Sequence, residues 1–301
     1  MQANAGIKLG LVGTGAWGMK YLAAADEASG VTLAHIASPH VATKTLPDSV
    51  TGHTDWRDLL GPLDLDMGLD GLIIATPPET HWEIARAALE AGLAILVEKP
   101  VTLTPSDAED LLELAKSKSA IVHVGHIDLQ NPALVAVMAE RPQQSDIQRI
   151  SGNWSNAGPW RDDATPLWDW GPHPLACCLA VAGLANIELD VSVDIVGEGK
   201  MFVVQGNVNG IEVDLRFGNG GDRRRRWMEI ASTGQVLRYD DDVDAKATRD
   251  GKPLTYANTP ALTAQTERFA QAIRLGNPDT SDAALAVEVI RLLAQFEQKT
   301  A

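Results

Sequence analysis

Residues 7–30 read IKLGLVGTGAWGMKYLAAADEASG. The apolar run Ile7–Val12 has the length and composition of a buried strand. It breaks into Gly13-Thr14-Gly15-Ala16-Trp17-Gly18, a G-x-G-x-x-G turn. A helical stretch follows to about Ser29, and Gly30 can take the left-handed position beyond its end. In such a turn the first glycine allows the bend. The second lets backbone approach a pyrophosphate, and the third lets helix and strand pack closely. The unpaired N–H groups of the helix start, with its dipole, suit phosphate. Alone the motif is weak, and a turn that serves packing only would use the same glycines. Set between a strand and a helix, residues Gly13, Thr14, Gly15, Ala16, Trp17 and Gly18 are predicted to cradle a dinucleotide.

The pattern repeats downstream. Thr32–Ala37 reads as the next strand, whose end should carry an acid if NAD is the cofactor. The sequence there is Ser38-Pro39-His40, with Lys44 further on. The missing acid tilts the expectation towards NADP, with Ser38 and His40 near a 2′-phosphate. Use of NAD, with these as plain loop residues, stays open. A short helix at 54–60 precedes the strand Gly71–Ala75. Thr76-Pro77-Pro78 breaks that strand, and Thr80 with Glu83 reads as a capping box for a helix to Ala91. Leu93–Val97 is another buried strand, ending in Glu98-Lys99-Pro100. Thr104-Pro105-Ser106-Asp107 supplies an N-cap, an N1 proline and an N3 acid for a helix to about Lys118. Ile121–Val124 is the next strand. Alternating strands and helices imply a parallel, doubly wound sheet over residues 1–125. Ligands of such sheets bind beyond the carboxyl ends of the strands. Thr76, Pro77, Glu98 and Lys99 stand there, and Lys99 can hydrogen-bond a substrate oxygen. A solvated surface lysine is the competing reading.

From about Ile147 the texture changes. Ile147–Asn156 and Glu188–Gly197 alternate as strands do. Phe202–Val208, Asn209-Gly210 and Ile211–Phe217 form a predicted hairpin. Arg225–Ala231 and Val236–Tyr239 make another pair. Two helices close the chain, about Leu262–Leu275 and Asp282–Gln298. Residues 126–301 are therefore expected to form a second, α+β domain with a mostly antiparallel sheet. Within it lies LWDWGPHPLACC, residues 167–178. Gly171 and Pro172 suit a helix start, and the helix to Ala182 is apolar all round, hence buried. His173 in its first turn is disfavoured as imidazolium by the dipole, so it is predicted to be a neutral proton acceptor, with Asp169 orienting it or binding the same substrate. A capping Asp and a structural His are the competing readings. Trp154, Trp160, Trp168 and Trp170 cluster in seventeen residues. One or two of them, Trp154 and Trp160 first, are expected to line a pocket.

Composition bounds the function. The chain has 301 residues, 45% hydrophobic and 22% charged, with a formal net charge of −15. That charge speaks against nucleic acid, whose phosphates need a basic surface. Arg223–Arg226 is the one basic block and reads as a charged turn and strand edge. The two cysteines, Cys177 and Cys178, are adjacent and apolar in setting, so they are expected to be buried thiols in a reducing cytoplasm. No apolar run is long enough for a membrane span. The histidines are scattered without ligand spacing, so no metal is expected.

Gly13–Gly18, Thr76-Pro77-Pro78 with His81, Glu98-Lys99-Pro100, and Asp169 with His173 together resemble the glucose–fructose oxidoreductase / inositol dehydrogenase (Gfo/Idh/MocA) family, over essentially the whole chain. The resemblance implies an N-terminal Rossmann domain and a C-terminal α+β domain with a large open sheet that commonly supports oligomer contacts. A homo-oligomer, dimer or tetramer, is the expectation. It implies hydride transfer between a nicotinamide and an oxygen-bearing carbon of a sugar, polyol or sugar derivative. Lys99 and His173 match its catalytic pair, and Asp169 its substrate-contacting acid. Pro100 would follow a cis bond, and His81 is carried over only as a helix-start residue. Val124-Gly125-His126-Ile127-Asp128 resembles the V-G-H-x-E run of relatives acting on sugar nucleotides, which places His126 near substrate. Leu129 and Gln130 depart from that run, and so does Ala176 from another common acid. A reductase of a non-sugar C=O, C=N or C=C bond, and a non-catalytic nucleotide sensor, are the alternatives.

Overall fold

The computed structural model describes residues 6–61, 68–158 and 164–300. The first sheet is built from β1 (Ile7–Val12), β2 (Val31–Ala37), β3 (Thr51–His53), β4 (Gly71–Ile74), β5 (Ala94–Val97) and β6 (Val122–Val124). Its order is β3-β2-β1-β4-β5-β6, with every pair parallel. That is the doubly wound order in which the crevice opens beside the first strand. Strands buried on both faces read as continuous apolar runs, and β4 and β5 are buried at every residue. The helices are α1 (Ala16–Glu27), α2 (His81–Glu90) and α3 (Pro105–Ser117). α3 starts as expected, with Thr104 Oγ1 accepting from Asp107 N at 3.2 Å.

Beyond α4 (Pro132–Ala139), the second sheet contains β7 (Ile147–Ala157), β8 (Ile187–Val196), β9 (Gly199–Val208), β10 (Ile211–Gly218), β11 (Gly220–Ser232), β12 (Gln235–Asp240), β13 (Ala247–Arg249) and β14 (Lys252–Pro253). Its order is β14-β13-β12-β11-β7-β10-β9-β8. All neighbours are antiparallel except β7 and β10. Asn209-Gly210 turns β9 into β10 with both residues at positive φ, as a two-residue hairpin of matching twist demands. α5 (Pro166–Trp170) and α6 (Pro172–Ala182) pack on β10 and β7, and α4 packs on β12 and β13. α7 (Ala261–Leu275) and α8 (Ser281–Thr300) follow. None of the described helices is long and apolar enough to cross a membrane.

The chain divides into two compact units, residues 1–125 with 260–287, and 126–259 with 288–301. α7 thus joins the first unit, where the sequence reading had put it in the second. Its contacts explain why. A Cβ on Gly71 of β4 would lie 3.0 Å from both Phe269 and Ile273, so the missing side chain admits α7. Gln265 reaches Tyr21 of α1 at 2.6 Å, and Thr263 reaches Glu27 at 2.9 Å.

One core position carries a pH prediction. His123 on β6 is 1% exposed, its ring lies against Phe269, and among the described residues its nearest charged partner is Asp279, whose Oδ2 stands 3.7 Å from Nε2, beyond hydrogen-bond distance. Burial holds its pKa below the ordinary value. The folded state therefore favours the neutral ring, while the unfolded chain takes a proton near pH 6.5. The contribution to stability is full above that pH and is lost as pH falls towards the lowered folded value, by at most about 1.4 kcal/mol per pH unit. Urea unfolding at pH 7 and pH 5 should show a smaller acid loss in His123→Phe than in the wild type. Equal losses would contradict this.

Candidate active site

The glycine turn passes a steric test for a dinucleotide. Gly13 has φ +107°, and a Cβ there would sit 2.4 Å from the Ala75 carbonyl at the end of β4. A Cβ on Gly18 would sit 2.2 Å from the Gly13 carbonyl. These two glycines are demanded by the fold. Gly15 is different: a Cβ there would meet nothing within 4 Å. No packing among the described residues requires a glycine there, and the open space is compatible with close approach of a pyrophosphate. α1 starts with no side-chain cap and no acid in its first turn, which leaves its N–H groups for a ligand. Thr14 Oγ1 donates to Ser38 Oγ at 2.8 Å, and Ser38 Oγ accepts from His40 N at 3.2 Å. Thr14 and Ser38 are buried, while the His40 side chain is exposed.

At the ends of β4 and β5 stand Thr76, Pro77, Glu98 and Lys99, and the Lys99–Pro100 bond is cis. His81 proves to be more than a helix-start residue. It is 1% exposed, with Nδ1 2.8 Å from the Pro100 carbonyl and Nε2 2.9 Å from the Thr76 carbonyl. It bridges the two strand-end loops. Burial holds its pKa below the ordinary value against both carbonyls. The expected capping box does not form. Pro78–Thr80 is a 3₁₀ turn, so Thr80 is already helical, and its hydroxyl donates to Pro77 O at 2.8 Å while lying 2.7 Å from the Thr76 hydroxyl. Glu83 pairs with Arg57 instead, at 2.7 Å. Glu98 needs a correction too. Read as a cofactor contact, it is 7% exposed and accepts from Trp17 and Tyr21.

In the second unit the imidazole has a partner that the sequence reading missed. His173 Nδ1 is 2.6 Å from Asp128 Oδ2, and Arg226 reaches Asp128 Oδ1 at 3.2 Å. Asp128 had been expected only as part of the V-G-H-x-E resemblance, and Asp169 had been expected to orient the ring. α5 runs through Asp169, and Gly171 is helical rather than an extended N-cap, so Asp169 sits inside a helical turn. Asp128, in a 3₁₀ turn after β6, is 4% exposed. Burial pushes its carboxyl up, but the Arg226 guanidinium and His173 pull it further down, well below the usual carboxylate range. A carboxylate only accepts, so the Nδ1–H donates to it, and in the neutral ring Nε2 carries the lone pair. β11 puts Arg226 opposite Trp154 of β7. The basic block is therefore not only a charged edge: Arg224 pairs with Asp241 and Asp242, Arg225 with Asp222, and Arg226 turns inward.

Trp154 is fully buried, so it offers no face to a substrate; the pleat of β7 spends its ring on the core. Trp160 lies outside the described residues. His126 is 5% exposed and Asp169 is half-buried. Cys177 and Cys178 are buried free thiols, and burial pushes Cys178 up to about 12. Neither is a thiolate at neutral pH.

A doubly wound sheet with a glycine turn at its first strand, joined to an eight-stranded α+β sheet with a carboxylate-fixed imidazole, defines a two-domain nicotinamide oxidoreductase. Residues 7–126 match the Gfo/Idh/MocA model, described as an oxidoreductase family with an NAD-binding Rossmann fold. A 4-carboxy-2-hydroxymuconate-6-semialdehyde dehydrogenase of Sphingobium is 24% identical over 97% of this chain and 98% of its own. A crystal structure of a putative oxidoreductase from Magnetospirillum magnetotacticum has a TM-score of 0.85 at 29% identity, covering 96% of this chain and 99% of that one. A UDP-N-acetylglucosamine 3-dehydrogenase of Acidithiobacillus ferrooxidans shares the fold, with a TM-score of 0.82 at 20% identity over 98% of both chains. Residues 7–126 thus carry the NAD-binding Rossmann domain of the Gfo/Idh/MocA oxidoreductase family.

Proposed function

We propose that this oxidoreductase moves hydride between the nicotinamide and a hydroxyl or carbonyl carbon of a sugar, polyol or sugar derivative, with His173 as the proton-transfer group. The observation that carries it is the Nδ1–Asp128 contact, which leaves Nε2 as the only ring atom able to accept a proton. The cofactor, when bound, supplies the hydride acceptor or donor. Gly15 and the α1 N-terminus would hold its pyrophosphate, with Thr76 and Pro77 at the neighbouring strand end. In oxidation, Nε2 takes the proton of the substrate hydroxyl. Asp128 stabilises the imidazolium that forms, and Arg226 keeps Asp128 ionised. Lys99 donates to the substrate oxygen, and Asp169 contacts the substrate. Reduction runs the same steps backwards. Ser38 in place of an acid, with exposed His40 and Lys44 after it, favours NADP over NAD. A homo-oligomer in the cytoplasm completes the reading.

A second reading has support of its own. The relative matched along its whole length is named for a carboxylated semialdehyde, and the burial of Trp154 removes one flat face argued for sugar rings. A non-sugar carbonyl substrate is therefore the alternative. Titration of NADH and NADPH against tryptophan emission tests the cofactor, since Trp17 lies in the glycine turn. Tighter NADPH binding supports the role of Ser38, and tighter NADH binding contradicts it. A panel of sugars, sugar nucleotides and semialdehydes, followed at the nicotinamide absorbance, separates the substrates. Turnover confined to semialdehydes would overturn the sugar reading.

A further inference from the structure

Glu98 departs furthest from its expected place. It is buried, yet both carboxyl oxygens are used. Oε1 accepts from Trp17 Nε1–H at 2.5 Å and from the Tyr21 hydroxyl at 2.6 Å. Oε2 accepts from the backbone N–H of Lys99 at 3.2 Å. Behind Tyr21, Gln265 of α7 donates to the phenol oxygen at 2.6 Å, so the phenol's own proton is directed at Glu98. The far side is closed by Gly125. A Cβ there would come within 2.8 Å of the carboxyl carbon and both its oxygens, so no larger residue fits while Glu98 holds this place.

The three donors come from two functional segments. Trp17 belongs to the glycine turn, and Tyr21 follows one helical turn later on α1. The third is the peptide N–H of Lys99 itself. We propose that Glu98 is a positioning residue, not a cofactor contact: its carboxylate ties the glycine turn, through Trp17 and Tyr21, to the backbone of Lys99, so that the cofactor cradle and the lysine keep one register. This rests on the oxidoreductase reading above. A carboxylate offers the acceptor sites that three donors require, whereas an amide or a protonated acid gives one oxygen up to donating. Burial raises the Glu98 pKa against these donors and the charge of Lys99. Tyr21 and Lys99 are the titratable groups facing it. The tie therefore loosens on acidification, at a pH above the ordinary glutamate value.

The test is the indole N–H resonance of Trp17 in the ¹⁵N-labelled full chain, assigned by its absence from Trp17→Phe. The expected resonance is shifted strongly downfield by the carboxylate and moves in one acid step. Glu98→Gln abolishes that step and weakens binding of both NADH and NADPH by about tenfold, the worth of one charged hydrogen bond. Tyr21→Phe, which removes a single donor to the carboxylate, moves the step to higher pH and keeps the chain folded if Glu98→Gln does not fold. An indole resonance in the ordinary position, or one that does not titrate, overturns the proposal. So does a folded Glu98→Gln chain with wild-type affinity for both nucleotides. A wild-type chain that binds neither nucleotide instead overturns the oxidoreductase reading, a separate outcome.

Discussion

His173→Ala is expected to lose roughly 10²–10⁴-fold in kcat, the usual worth of a placed proton-transfer group, while the Kd for the nicotinamide cofactor stays at the wild-type value. The argument is geometric. The ring is fixed at Nδ1 by a carboxylate 2.6 Å away, so its tautomer is set before any substrate arrives. His173 and its partners Asp128 and Arg226 all belong to the second unit, and the glycine turn to the first. Loss of the imidazole should therefore leave cofactor affinity alone. The measurement is single-turnover hydride transfer at the nicotinamide absorbance, with the cofactor Kd measured beside it. A variant that turns over at the wild-type rate removes His173 from the chemistry. One that loses cofactor binding as well points to a folding defect instead.

Asp128→Ala should be the most destabilising single change near the site, by about 3–5 kcal/mol, the cost of breaking a buried ion pair from one side. Arg226 is the reason. Its side chain is only 23% exposed, and Asp128 is its charge partner. Asp128→Asn should cost less, because the amide keeps one oxygen for Arg226. It should still lower kcat, since an amide cannot stabilise the imidazolium of His173 as a carboxylate does. The pH sign follows from the depressed carboxyl. Its stabilisation is complete above the unfolded value near pH 3.9 and is lost as pH falls through the lower folded value. Denaturant unfolding should therefore show a gap between wild type and Asp128→Ala that does not narrow from pH 8 to 5 and closes only under strong acid. A gap that narrows already between pH 7 and 5 would place the charge elsewhere.

What the sequence revealed depended on whether a signal was local. The glycine turn, the Asn209-Gly210 hairpin and the Thr104 cap were legible because the residues that determine them are neighbours in the chain, whereas the cis Lys99–Pro100 bond was expected only from the family resemblance. The capping box at Thr80 failed because a 3₁₀ turn starting at Pro78 had already committed the backbone. Asp128 could not be linked to His173, forty-five residues away, without knowing that a turn after β6 and the start of α6 meet. Arg226 was hidden in a run of four arginines, where only strand alternation says which one faces inward. Trp154 misled because a tryptophan-rich stretch reads the same for a pocket wall and for core filling. Burial decided it.

The first unit is discontinuous in sequence, and that orders events during synthesis. Residues 1–125 leave the ribosome first, but Gln265 and Phe269, which close on Tyr21 and Gly71, come after a gap of 134 residues between 125 and 260. At roughly 5–20 residues per second, translation takes about 7–27 s to cross it. Through that interval the nascent first sheet has its glycine turn but no α7. Its exposed flank around Gly71 must wait, in a crowded cell, for the C-terminal part of the same chain.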